Sequence, residues 1–127
     1  MISGIEHIAI ASFDPHRLAE WYVRHLNFIV VLDTGKTVYL RAGNHVVLEF
    51  VYADTQPAAP SIRDAGLRHI AFSVMDIDAA REELQANGVK FPDDPIVAPG
   101  MRLQFFQDPE GNFLHLVERE IPLKLEY

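Results

Sequence analysis

A chain of 127 residues suffices for one compact domain with a real core, but not for two independent domains of ordinary size. Eighteen acids against eleven bases give a formal net charge of -7, and no basic run interleaved with aromatics offsets it, so nucleic acid and anionic membranes are excluded as partners. With no cysteine, disulfides, thiolate metal sites and cysteine nucleophiles are excluded as well, and any metal must be held by the six histidines and the carboxylates.

The first predicted element is the strand "GIEHIAI", residues 4 to 10, which alternates so that Ile5, His7 and Ala9 share a face. Asp14 is the expected N-cap of a helix whose Leu18, Trp21, Tyr22, His25 and Leu26 recur at spacings of three and four, closed by Asn27. Three strands follow at 28–33, 36–41 and 45–52, the first two joined by the turn "DTGK". Even the apolar run "FIVVL" is about a quarter of the length a membrane span needs. The start of the chain has no basic-then-apolar leader pattern, so a cytoplasmic protein is expected.

After a Pro-rich connector, residues 53–65, the first strand returns as "GLRHIAF": Gly4, His7 and Asp14 reappear as Gly66, His69 and Asp76 at one constant spacing. Asp76 caps a second helical pattern, Ile77, Ala80 and Leu84, that ends at Gly88. A weak strand is expected around Val89 to Phe91, then strands at 101–107 and 112–119 joined by "DPEGN". The Pro-rich "FPDDPIVAPG", 91–100, reads as a lid or mouth loop. The expected fold is α+β: one domain over 1–127 made of two βαβββ modules with curved mixed sheets around a central site. Module one is 1–52, the linker 53–65, module two 66–119 and the C-terminal tail 120–127.

Alternation also sorts the polar residues of the last strands. Val47 and Glu49 share a face with His45, whose role the pattern leaves open; Phe113, His115 and Val117 share a face, with Glu118 on the opposite one. If the first and last strands of each module lie side by side at its centre, His7 comes near Glu49 and His69 near His115. Three imidazoles and one carboxylate suit Fe(II), Zn, Ni, Co or Mn and leave open positions for a substrate. A histidine at the same place in two apolar strands needs partners, and one shared metal supplies them. His16 and His25, at the start and end of the first helix, read as surface or dipole-favoured residues. Tyr39, Arg41, Arg102, Gln104 and Phe106 fall in strands that border a cavity or else form a solvated outer face, and an arginine there can grip a carboxylate or phosphate. Trp21, Tyr22 and Phe28 read as helix-to-sheet core.

The succession "EHIAI", "LAEWYVRHLNF", "VVLEF", "LRHIAFSVMDIDAAREELQANGV" and "FFQDPEGNFLHLVER" resembles the vicinal oxygen chelate superfamily, which includes glyoxalase I, methylmalonyl-CoA epimerase, extradiol dioxygenases, fosfomycin-resistance enzymes and bleomycin-binding proteins. The resemblance covers nearly the whole chain. It implies one divalent metal per site held by His7, Glu49, His69 and His115, a small-molecule substrate and a homodimer. The family usually carries glutamate where this chain has His115, which leaves Glu49 as the one ligand carboxylate and the implied catalytic base. Glu118 cannot replace it without a register shift, being on the other strand face. Counting from the Gly-Asn pairs 43–44 and 111–112 puts Glu49 two residues beyond the counterpart of His115. The implied function is a glyoxalase-type lyase or isomerase on a small oxygen-chelating substrate. The alternatives are an extradiol-type ring-cleaving dioxygenase and a non-enzymatic antibiotic-binding protein.

Overall fold

The computed structural model describes residues 1–43 and 46–123; His45 and residues 124–127 of the tail lie outside the described residues. The chain divides into two compact units, Met1–Ala59 and Pro60–Tyr127, with the boundary inside the Pro-rich connector. The first contains β1 (Ile8–Ser12), α1 (Pro15–Leu26), β2 (Ile29–Asp33), β3 (Val38–Ala42) and β4 (Val46–Tyr52). The second repeats the order with β5 (His69–Ser73), α2 (Ile77–Ala86), β6 (Ile96–Ala98), β7 (Met101–Gln107) and β8 (Phe113–Arg119). Among the described residues no helix is long and apolar enough to cross a membrane.

Each unit is a four-stranded mixed sheet with a helix on one face, in the order β1-β4-β3-β2 and β5-β8-β7-β6. The first and last strands pair in parallel and the remaining neighbours are antiparallel. The fold class is therefore the α+β arrangement of two βαβββ modules expected above. The first strand is not at the centre of its module, however: β1 and β5 are edge strands of their sheets, because β4 and β8 use their other edges to pair with β3 and β7.

The helices start where the two aspartates end the first strands. Asp14 accepts from the Arg17 N–H at 3.2 Å and Pro15 occupies the first helical turn, while the Asp76 carboxylate accepts from the Asp78 and Ala79 N–H groups at 3.0 and 3.1 Å. The exits are left-handed, Asn27 at φ 59° and Gly88 at φ 91°. α1 buries Leu18, Ala19 and Tyr22 against β3 and β4, where the Tyr22 ring lies 5.0 Å from Phe50 and 5.5 Å from Phe28. Trp21 is only half-buried and stacks on His25 instead. In the second unit α2 packs on β7 and β8, over buried Phe106, Leu114 and Leu116.

One strand lies elsewhere than expected. Residues 89–91 form no strand; Val89 is buried and its N–H bonds to Leu84 O at 3.0 Å, closing the end of α2. The strand that pairs with β7 is Ile96–Ala98, inside the segment read as a lid loop. Pro92 and Pro95 lack the N–H that a ladder needs, so pairing begins only beyond them. The Gln104 side chain, fully buried, donates to Asp93 O at 2.8 Å and ties this loop to the sheet.

Replacing Asp76 by Ala removes the cap of α2 and should lower unfolding free energy by about 1 kcal/mol, whereas Asp76→Asn should stay within a few tenths of wild type. Urea denaturation followed by far-UV circular dichroism checks both.

Candidate functional site

Register places the polar residues of the sheet faces that point away from the helices. Parallel pairing of β1 with β4 sets Ala9 against Glu49, and pairing of β5 with β8 sets Ala71 against His115. His69, the first residue of β5, lies two residues before that alanine on the same strand face, and His7 stands at the corresponding place immediately before β1, which begins at Ile8 and not at residue 4 as expected. Glu49 and His115 are thus structural counterparts. The two-residue mismatch counted from the Gly-Asn pairs disappears in the ladder: Tyr39 to Glu49 and Phe105 to His115 span the same number of residues, so the two Gly-Asn pairs are not equivalent positions.

In the first unit His7 Nε2 stands 3.3 Å from Glu49 Oε1, and its Nδ1 is 2.7 Å from Glu6 Oε1. The Glu49 side chain is 14% exposed, a carboxylate mostly withdrawn from water but on the open side of the sheet. Tyr39 is directly opposite Glu49 on β3, and its ring meets His7 edge-on at 5.9 Å. The phenol is raised above its ordinary pKa, first by its hydrogen bond to Glu49 and then by burial.

In the second unit the rings of His69 and His115 lie 4.4 Å apart at 80°. Phe105, opposite His115 on β7, stacks on it at 4.8 Å and meets His69 edge-on at 5.7 Å. His115 is buried and its Nδ1 has no hydrogen-bond partner among the described residues. Burial first, then the nearby His69 and Arg119 charges, lower its pKa from the ordinary 6.5 to about 4, so the imidazole is neutral across the physiological range.

Residues 4–116 match the Glyoxalase/Bleomycin resistance protein/Dioxygenase superfamily. The chain belongs to that superfamily. It is 32% identical over 129 residues to the uncharacterized protein YwkD of Bacillus subtilis, covering 94% of this chain and 99% of that one. It is also 32% identical over 107 residues to an Actinomyces protein named 2-epi-5-epi-valiolone epimerase, covering 77% of this chain and 58% of that one. Among solved structures, a glyoxalase family protein from Enterococcus faecalis superposes with a TM-score of 0.75 at 30% identity, over 91% of this chain and 98% of that one. Members of the superfamily include lyases, epimerases and dioxygenases and typically bind a divalent metal.

The candidate residues of this superfamily member fall into two pairs, His7 with Glu49 and His69 with His115. Within neither unit do the described residues gather three side chains able to hold a metal. Glu118 is on the helix side, as alternation predicts; its carboxylate accepts from the Ile77 N–H at 2.9 Å and from Arg102, which together lower its pKa. Of the residues expected along a cavity wall, Tyr39 and Arg41 share the face of Glu49. Arg102, Gln104 and Phe106 do not: they pair with Glu118, Leu116 and Leu114 on the face that α2 covers, and Arg102 reaches Asp78 of α2 at 3.0 Å. The residue missing from the sequence reading is Phe105. Counting back across the "DPEGN" hairpin from His115 finds it, since Gln107 pairs with Phe113 and hence Phe105 with His115. His16 bonds Asp33 at 3.0 Å and His25 contacts Trp21 O at 3.1 Å, so both serve the helix and its neighbours.

The depressed pKa of His115 has a stability consequence with a definite sign. Between about pH 6.5 and 4 the unfolded chain binds a proton at this imidazole that the fold refuses, so stability falls as the pH is lowered through that window. Thermal unfolding of chelator-treated protein should show this loss, His115→Gln should remove that part of it, and an NMR titration should find the His115 ring still neutral at pH 5.

Proposed function

We propose that His7, Glu49, His69 and His115 are the ligands of one divalent metal, Zn, Ni, Fe, Co or Mn, and that the protein is a glyoxalase-type lyase or isomerase acting on a small oxygen-chelating substrate. The observation that carries the reading is Glu49: one mostly buried carboxylate on an open sheet face, against a first-strand imidazole, in a donor set otherwise made of histidines. The donors suit a metal. Glu6 engages Nδ1 of His7 and leaves Nε2 toward Glu49, the carboxylate–histidine arrangement that orients a ligand imidazole. Nδ1 of neutral His115 is buried with no hydrogen-bond partner among the described residues, and such a nitrogen suits a metal. Bound there, a divalent ion supplies Lewis-acid charge that acidifies the carbon beside two adjacent substrate oxygens.

Glu49 then takes that carbon proton and returns it to the same carbon or its neighbour, so one group serves as base and acid with no net change in charge. Tyr39 holds the carboxylate in place through its hydroxyl, and Phe105 covers the imidazole pair. The relative named as an epimerase supports proton transfer at carbon as the reaction class. A homodimer is part of the proposal, since Ile29, Val30, Val31 and Leu32 of edge strand β2 are all roughly half exposed, an apolar strip that a second chain can cover.

Protein purified without chelator should contain about one divalent ion per chain, and His7→Ala, His69→Ala and His115→Ala should each lose most of it. Glu49→Gln should keep much of the metal yet lose at least about 100-fold in turnover of a methylglyoxal hemithioacetal or in solvent-deuterium incorporation at the reacting carbon. Metal-free protein that is unaffected by the histidine substitutions contradicts the proposal, and iron with oxygen uptake on catechols replaces the lyase with a dioxygenase.

A further inference from the structure

Arg41 is on β3 two residues beyond Tyr39, and the intervening Leu40 is fully buried on the α1 side, so Arg41 and Tyr39 share the open face with Glu49. Its neighbours across the sheet are apolar, Ile29 on β2 and Val47 on β4. Its Nε is sealed from water and has no hydrogen-bond partner among the described residues, and no ion pair among them includes it. Arg102 is engaged by Asp78 and Glu118 and Arg24 by Glu20; the Nε of Arg68 and of Arg81 also lacks a partner, but Arg68 donates to Ser61 O through Nη1 and Arg81 lies over the Phe91 ring at 5.9 Å. The chain has an excess of acids, so an unpaired cation on this face does not follow from a shortage of carboxylates.

We propose that Arg41 is the binding residue for a carboxylate at the far end of the substrate. This rests on the function proposed above and deepens it. A planar guanidinium that enters no ion pair among the described residues presents, through its two Nη groups, the fork that a carboxylate accepts in bidentate fashion, and the apolar flanks strengthen the pair by keeping water away. Two residues along a strand are about 7 Å, so the anion sits that far along β3 from Tyr39, which faces the proton-transferring Glu49. A small acid of about five carbons spans that distance. One charge is favoured over a phosphate dianion because Arg17 and Arg24 belong to α1 on the opposite side and Lys36 lies in the β2–β3 turn, leaving a single cation on this stretch of the face. In the second unit the counterpart of Arg41 is Gln107, whose amide donates to Gly111 O in its own hairpin, so the first unit alone offers this fork.

The test compares 2-oxoglutarate with 2-oxopentanoate, equal in length and in the chelating end, by calorimetry on Mn(II)-loaded protein. Wild type should bind the dicarboxylate about tenfold or more tighter. Arg41→Gln should bring it down to the level of 2-oxopentanoate, whose affinity stays unchanged, and Arg41→Lys should keep part of the preference. Unchanged thermal stability and Mn(II) affinity in Arg41→Gln confirm that the fold is intact. Absence of a preference in wild type, or equal weakening of both acids by Arg41→Gln, overturns the inference. A separate arm uses chelator-treated protein, in which glutarate should shift the Arg41 Nε–H resonance. Protein that takes up no Mn(II) but shows this shift refutes the metal reading and upholds Arg41 as a carboxylate site, whereas normal Mn(II) uptake without the shift refutes the Arg41 site alone.

Discussion

The parallel pairing of first strand with last is the constraint on which each module depends. It fixes which residue of the last strand stands diagonally beside the first-strand histidine: Glu49 through Ala9 in one unit, His115 through Ala71 in the other. The same pairing requires the chain to leave the first strand, cross one face as a helix and return through two antiparallel strands, so the helix always covers the face opposite the histidine. A slip of one residue in either ladder would turn Glu49 or His115 into the helix-facing core and bring Leu48 or Leu116 out.

On this common frame the two modules have diverged in charge. The first carries Glu6, His7, Tyr39, Arg41 and Glu49 on or beside its open face; the equivalent places in the second are Arg68, His69, Phe105, Gln107 and His115. The first set can hold and move protons and bind anions. The second offers two imidazoles packed on an aromatic ring, of which His115 is held neutral by burial. In the proposed site, histidine at 115 makes the donor set less negative and leaves Glu49 as its one carboxylate for proton transfer. That division of labour is what makes Glu49 decisive in the proposed chemistry.

Much of this was legible in the sequence, because short-range signals governed it. The repeat, both N-caps, both left-handed helix exits and the alternation that separates Glu118 from His115 follow from local backbone geometry and are where they were expected. What the sequence hid depended on longer-range pairing. β6 is three residues long and lies between prolines, so its identity comes from β7 and not from its own composition. Arg102, Gln104 and Phe106 alternate as well as Phe105 does with its neighbours, and only the register with β8 tells which set faces His115. The edge position of β1 likewise belongs to the sheet as a whole. Gly-Asn pairs were a poor anchor for depth because they occupy different places along two connections of equal length.

The central proposal, that two pairs of side chains from two repeats serve one metal, is tested most directly by X-ray absorption spectroscopy of Co(II)-loaded protein. Scattering from three imidazoles is predicted, with the residual Co(II) held by His7→Ala and by His69→Ala alike seeing two. A spectrum without histidine scattering, or one that changes on substitution in one repeat but not the other, would contradict it.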